Sequence, residues 1–195
     1  MILFWLTMAG GFALAFVGLK KGFLPIWAAT FNTMVAIYLA VMLLPVYARY
    51  IPNPETESYY YSCAACMFVT AALTFAVLQP IASTYFSGGY AITFPRALDT
   101  VVAPALGFAA GCIATAFVIL VISLMPFSAH KYVRTTLNEP NISPPVKSAV
   151  TTSCNIIGAA SVQIYPRKAV DVLEEFSTRR TRFLDADNTA VAAYR

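Results

Sequence analysis

Four long stretches of this chain carry no charged side chain, and they fill most of its first 130 residues: Met1–Leu19, Gly22–Ala48, Ser58–Pro95 and Thr100–Ala129. The hydrocarbon core of a bilayer is about 30 Å thick, and a helix rises about 1.5 Å per residue, so a span takes about 20 apolar residues. Each stretch reaches or approaches that length. A soluble domain has no place for four such helices, because a surface helix needs a polar face. The pattern predicts an all-α integral membrane protein.

Composition agrees. The 195 residues are 59% hydrophobic and 11% charged, against about 25% charged in ordinary soluble domains. The expected organisation is a four-helix transmembrane domain over residues 1–129 and a polar, partly basic tail over 130–195. Most of the net charge of +4 belongs to that tail. A cleaved signal peptide places positive charge before its apolar run. Here Lys20 and Lys21 follow the run, so the first stretch is expected to remain as a span.

Lys20-Lys21-Gly22 leaves room only for a very short turn, which predicts a tight antiparallel hairpin of spans one and two. Span one also holds Gly10, Gly11 and Gly18. Pro25 falls in the first turn of span two, where a missing N–H costs little. Pro45 is expected to kink or stop that span. Asn32 is its one strongly polar side chain, and an amide in lipid seeks a neighbouring helix. Tyr59-Tyr60-Tyr61 opens span three and reads as a headgroup-level anchor. Gln79-Pro80 is expected to end the span. Ile81–Pro95 is uncharged but broken by Ser83, Ser87, Gly88, Gly89 and Pro95. It reads as an interfacial segment or as a re-entrant loop before the last span.

In span four, Ala103, Gly107, Gly111 and Thr115 recur every four residues and share one helix face. Small residues let backbones approach closely, and such packing drives helix association inside lipid. The stripe predicts a close helix contact, with a helix of this chain or of another copy. In the tail, Asn138–Val146 contains Pro140, Pro144 and Pro145 and reads as an extended linker. Residues 167–184 form a candidate amphipathic helix, with Val170, Leu173 and Phe176 at helical spacing. Arg179, Arg180 and Arg182 beside them suit anionic headgroups.

The chemistry of catalysis is missing. His130 is the single histidine, and no phosphate-binding loop or His-Glu-x-x-His pair occurs. Cys63 and Cys66 form a C-x-x-C pair, but without thioredoxin-like surroundings they read as small packing residues. No catalytic residue, metal site or cofactor is expected, nor a nucleic-acid partner. Membrane lipids, and self-association or contact with other membrane proteins, are the expected interactions. Asp99 is the acid of interest, after Arg96 at the mouth of span four. In one reading its charge opposes the dipole of its own helix, worth about 0.3–1 kcal/mol. In the other it faces a water-filled cavity and takes part in ion movement.

Two segments carry a resemblance. Gly18-Leu-Lys20-Lys21-Gly22-Phe23 and Leu98-Asp99-Thr-Val-Val-Ala-Pro-Ala-Leu-Gly107-Phe-Ala-Ala-Gly111 resemble the turn motif and the last-span motif of the colicin V production protein family. The order of the four spans is also similar, over roughly residues 1–130. The chain departs from that pattern at Leu24-Pro25, Thr100 and Ala110, where the family carries charged residues. The resemblance implies a multi-pass protein of the bacterial inner membrane linked to toxin production or export, without a defined reaction or cofactor. It leaves two functions open. One is an accessory protein of secretion or envelope maintenance, acting through protein contacts at the span-four stripe and Asn32. The other is a small oligomeric channel or transporter with Asp99 in its path. The Lys and Arg tally across the loops is nearly even and leaves the orientation open.

Overall fold

The computed structural model describes residues 2–53, 56–86, 98–125, 143–160 and 169–179, and these contain helices and short turns but no strand. Helix α1 is Ile2–Lys21, α2 is Phe23–Tyr50 and α3 is Glu57–Phe86. A π-helical turn, Leu98–Val102, leads into α4, Ala103–Leu124. Helix α5 is Ser143–Ala160, and a last helix, α6, covers 169–179. Three helical rods are long and apolar enough to cross a membrane: Phe23–Tyr50, Glu57–Tyr85 and Leu98–Leu124. The described residues are helical, and the three rods make this a multi-pass membrane protein.

The helices do not pack in chain order. The turn between α1 and α2 is as short as expected, yet the two helices part beyond it instead of forming a tight hairpin. Helix α4 takes the place beside α1 and touches α2 with its other side, while α2 packs on α3. The glycines explain the choice. Gly10, Gly11 and Gly18 on α1 and Gly107 and Gly111 on α4 bring the two backbones together.

Two prolines sit within helices rather than at their ends. Helix α2 runs five residues past Pro45, and α3 runs through Pro80 to Phe86. Proline removes one N–H from the ladder, and such a gap is tolerated in membrane helices where neighbouring groups take up the freed polar atoms. The carbonyl that Pro80 leaves without its helical donor is that of Ala76, and one turn on the hydroxyls of Ser83 and Thr84 both donate to the Pro80 carbonyl at 2.9 Å. Residues 81–86, read from sequence as the start of a broken segment, thus extend α3. The rest of that segment, 87–95, lies outside the described residues, as does His130. At 30 residues, α3 is about 45 Å long, which exceeds the hydrocarbon thickness and requires tilt or protrusion.

The tail also departs from expectation. Ser143–Val146, read as the end of an extended linker, is the first turn of α5. Pro144 and Pro145 fall where helical N–H groups have no partner, so they start a helix as readily as they extend a chain. Val146, Val150, Cys154 and Ile157 are buried along one face of α5, which packs on α2 and α4. Helix α6 lies within the 167–184 expected from the Val170, Leu173 and Phe176 spacing. Its Phe176 ring sits 6.4 Å from that of Tyr59 and 5.8 Å from that of Tyr60. The first two rings of the tyrosine triplet are therefore buried under the tail.

The main core lies in the half of the bundle that carries the tail. Leu44 and Val41 of α2, Cys63 and Met67 of α3, and Phe117 and Leu120 of α4 meet there with Val150, Cys154, Val172 and Phe176. The four cysteines are free thiols, and burial pushes the Cys154 thiol up to about 12, where it stays protonated and unreactive. Outside the core, Phe4, Trp5, Phe12 and Phe16 of α1 and Phe68, Val69 and Leu73 of α3 are exposed, as suits surfaces that face lipid.

Candidate functional site

The two segments singled out by resemblance meet at one end of the bundle. Their meeting starts from a glycine. Gly22 has φ 82° and ψ 178°, a region essentially closed to residues with a Cβ. Its N–H donates to the Gly18 carbonyl at 3.1 Å, which satisfies one of the open carbonyls at the end of α1. The next residue, Phe23, begins α2. Gly22 has no side chain to cap that helix, so the cap comes from far along the chain. The Phe23 N–H donates to Asp99 Oδ1 at 2.8 Å, across 76 residues. A Cβ on Gly22 would lie 3.3 Å from the same oxygen, so Gly22 permits both the turn and the approach of the carboxylate.

Asp99 therefore serves the dipole of α2, where sequence reasoning offered either the dipole of its own helix or a cavity. The π-helical turn positions it. Pro104 cannot donate to the carbonyl four residues back, and its ring crowds that carbonyl, which accounts for the widened turn ahead of α4. Just beyond, a Cβ on Gly18 would lie 2.7 Å from the Ala103 carbonyl oxygen. Backbone thus meets backbone at the very start of the α1–α4 contact.

The stripe continues that contact. Ala103 faces Gly18, Gly107 faces Leu14 and Ala15, Gly111 faces Gly10 and Gly11, and Thr115 faces Gly10. This is an antiparallel seam within one chain, so α1 covers the face that the sequence left available to another copy. Phe12 and Phe108 pack edge to face beside it at 5.3 Å, and the Cys112 thiol donates to the Thr7 carbonyl at 3.6 Å. Of the turn lysines, Lys20 lies 4.6 Å over the Phe16 ring, and both Lys20 and Lys21 are exposed.

Asn32 is apart from this junction. It is 6% exposed, and its Nδ2 donates to Gln79 Oε1 at 3.2 Å, which links α2 to α3. Sequence reading missed Gln79 as its partner, although a second amide in an otherwise apolar stretch was the available signal. The Tyr47 hydroxyl and Thr70 Oγ1 form a second α2–α3 link at 2.6 Å.

The model of the colicin V production protein family matches residues 3–150. The chain belongs to that family. The match takes in the whole junction and runs beyond the 1–130 covered by the resemblance, into the first turns of α5. No curated protein and no solved structure matches the chain. No group of three or more metal-binding side chains occurs among the described residues.

The cap gives a direct test. Asp99→Ala should destabilise the protein by about 1–2 kcal/mol, the usual cost of a lost helix cap. Asp99→Asn keeps an acceptor for the Phe23 N–H and should cost less than half of that. Thermal unfolding in detergent checks the order, and equal losses would show that the hydrogen bond to Phe23 is not what Asp99 contributes.

Proposed function

We propose that this protein is a non-enzymatic accessory protein of the bacterial inner membrane, serving colicin V production or export, with α1 as a fourth span. Helix α1 has 20 residues, with its charges confined to Lys20 and Lys21 at one end, and it lies antiparallel along α4. Four spans place both termini on the same side of the membrane.

The observation that carries the accessory reading is the use made of Asp99. Its carboxylate is committed to the first N–H of α2. Asn32 is likewise engaged with Gln79, and the Thr30 hydroxyl lies 3.5 Å from the Leu106 carbonyl of α4. Polar groups arranged this way hold helices together. A transport path instead needs them turned toward water. Because α1 covers the α4 stripe, contacts with other membrane proteins fall to the outward faces of α1 and α3 or to the ends of the bundle.

Ion and small-solute flux through the purified protein in liposomes decides between this role and a channel. The expected result is a sealed membrane with folded, inserted protein, for wild type and Asp99→Asn alike. Flux that Asp99→Asn alters would overturn the accessory reading and place Asp99 in a conduction path.

A further inference from the structure

At the end of the bundle opposite Asp99, a cleft of about 300 Å³ opens between α2, the first turn of α3 and α6. Its apolar wall includes Leu44, Pro45, Val172 and Phe176, and its polar lining is Arg49, Tyr59, Glu175 and Arg179. We infer that this cleft binds the headgroup of an anionic phospholipid, with the Arg49 and Arg179 guanidinium groups holding its phosphodiester.

Three observations converge on that ligand. The first is depth. Arg49 is the first charge after the uncharged run Gly22–Ala48, so in a helix that crosses the bilayer it stands at headgroup level. Leu44 and Pro45, one turn further in, stand where acyl chains begin. The second is charge. Arg179 Nη2 bonds Glu175 Oε1 at 2.7 Å, and that pair is more than half exposed. Arg49 has no ion-pair partner among the described residues. Two guanidiniums against one carboxylate leave the lining one positive charge in excess, and guanidinium is the side chain best matched to phosphate oxygens. The third is shape. The same cleft combines an apolar wall with charges at its edge, which suits an amphiphile better than a free ion. Basic pockets at the ends of membrane helices take anionic headgroups in this way.

The cleft also has a reason to exist only in the folded chain. Helix α6 supplies one wall and is fixed by Phe176 on Tyr59 and Tyr60, and by the Tyr60 hydroxyl, which donates to the Arg179 carbonyl at 3.4 Å. The inference rests on α2 crossing the membrane. It does not rest on the accessory role, so a flux result leaves it standing.

The test uses the full chain in an uncharged detergent. Phosphatidylglycerol, phosphatidylcholine and sodium phosphate are added in separate titrations, followed by thermal unfolding and by native mass spectrometry of bound lipid. Phosphatidylglycerol should bind and stabilise in preference to phosphatidylcholine, and inorganic phosphate should do neither. Arg49→Ala should weaken phosphatidylglycerol binding about fivefold, the usual share of one basic side chain at an anionic surface. Arg49→Lys should recover part of it, and Lys147→Ala, a tail cation outside the cleft lining, should leave it unchanged. Arg49 is exposed and makes no ion pair among the described residues, so its variants should fold. Equal binding of the two lipids by wild type would overturn the inference. So would an unchanged preference in Arg49→Ala, or stabilisation by phosphate alone.

Discussion

Gly111→Leu should dislodge α1 from α4. A Cβ at Gly111 already runs into the Gly10 carbonyl and the Gly11 backbone, and neither can move aside as a flexible side chain would. Overpacking of a close-fitted interior costs about 1–3 kcal/mol, and a leucine against backbone belongs at the upper end. The loss should appear as a lower unfolding temperature in detergent. The native Cys112 thiol, which donates to the Thr7 carbonyl across the seam, should react faster with a membrane-permeant maleimide once Gly111→Leu is in place. Because the seam lies within one chain, the change should leave oligomer size unaltered. A shift in oligomer size without a loss of stability would mean that the stripe serves another copy.

The second large effect belongs to the tail. Phe176→Ala should free α6 and uncover Tyr59 and Tyr60. Phe176 is 6% exposed and packs on both tyrosine rings, so truncation should cost about 3 kcal/mol or more. Trypsin should then cut at Arg179 much faster than in wild type, with the four long helices still protected. Equal cutting rates in the two proteins would show that α6 is not held by this ring.

How much of this was legible in the sequence differs from element to element. The runs without charge located α2 and the α4 rod closely, because lipid imposes a length on any helix that crosses it, whereas α3 runs on past the Gln79-Pro80 expected to end it. The four-residue spacing of Ala103, Gly107, Gly111 and Thr115 revealed a close approach but not its partner. A glycine stripe records that a backbone comes near, and any helix with a matching groove satisfies it. Gly10, Gly11 and Gly18 were in view, yet nothing local ties them to α4 rather than to α2. Asp99 was singled out for its charge near a span, and its partner stayed hidden because a backbone N–H leaves no mark in a sequence. The tail was misread at Pro144 and Pro145, since proline opens helices as well as interrupting them. The deciding signal there was the spacing of Val146, Val150, Cys154 and Ile157 beyond the prolines.

The position of α4 between α1 and α2 bears on how the chain is made. A ribosome delivers α1 and α2 first, and α4 only after residues 57–97 have followed. Until then Gly10, Gly11 and Gly18 lack the helix they pack against, and the first N–H of α2 awaits its carboxylate. Helices α1 and α2 must stay loosely associated during that interval, since a firmly closed pair would shut α4 out. The weak fit between them leaves the later helix a place to enter, and the arrival of Asp99 at the turn is the step that completes assembly at that end.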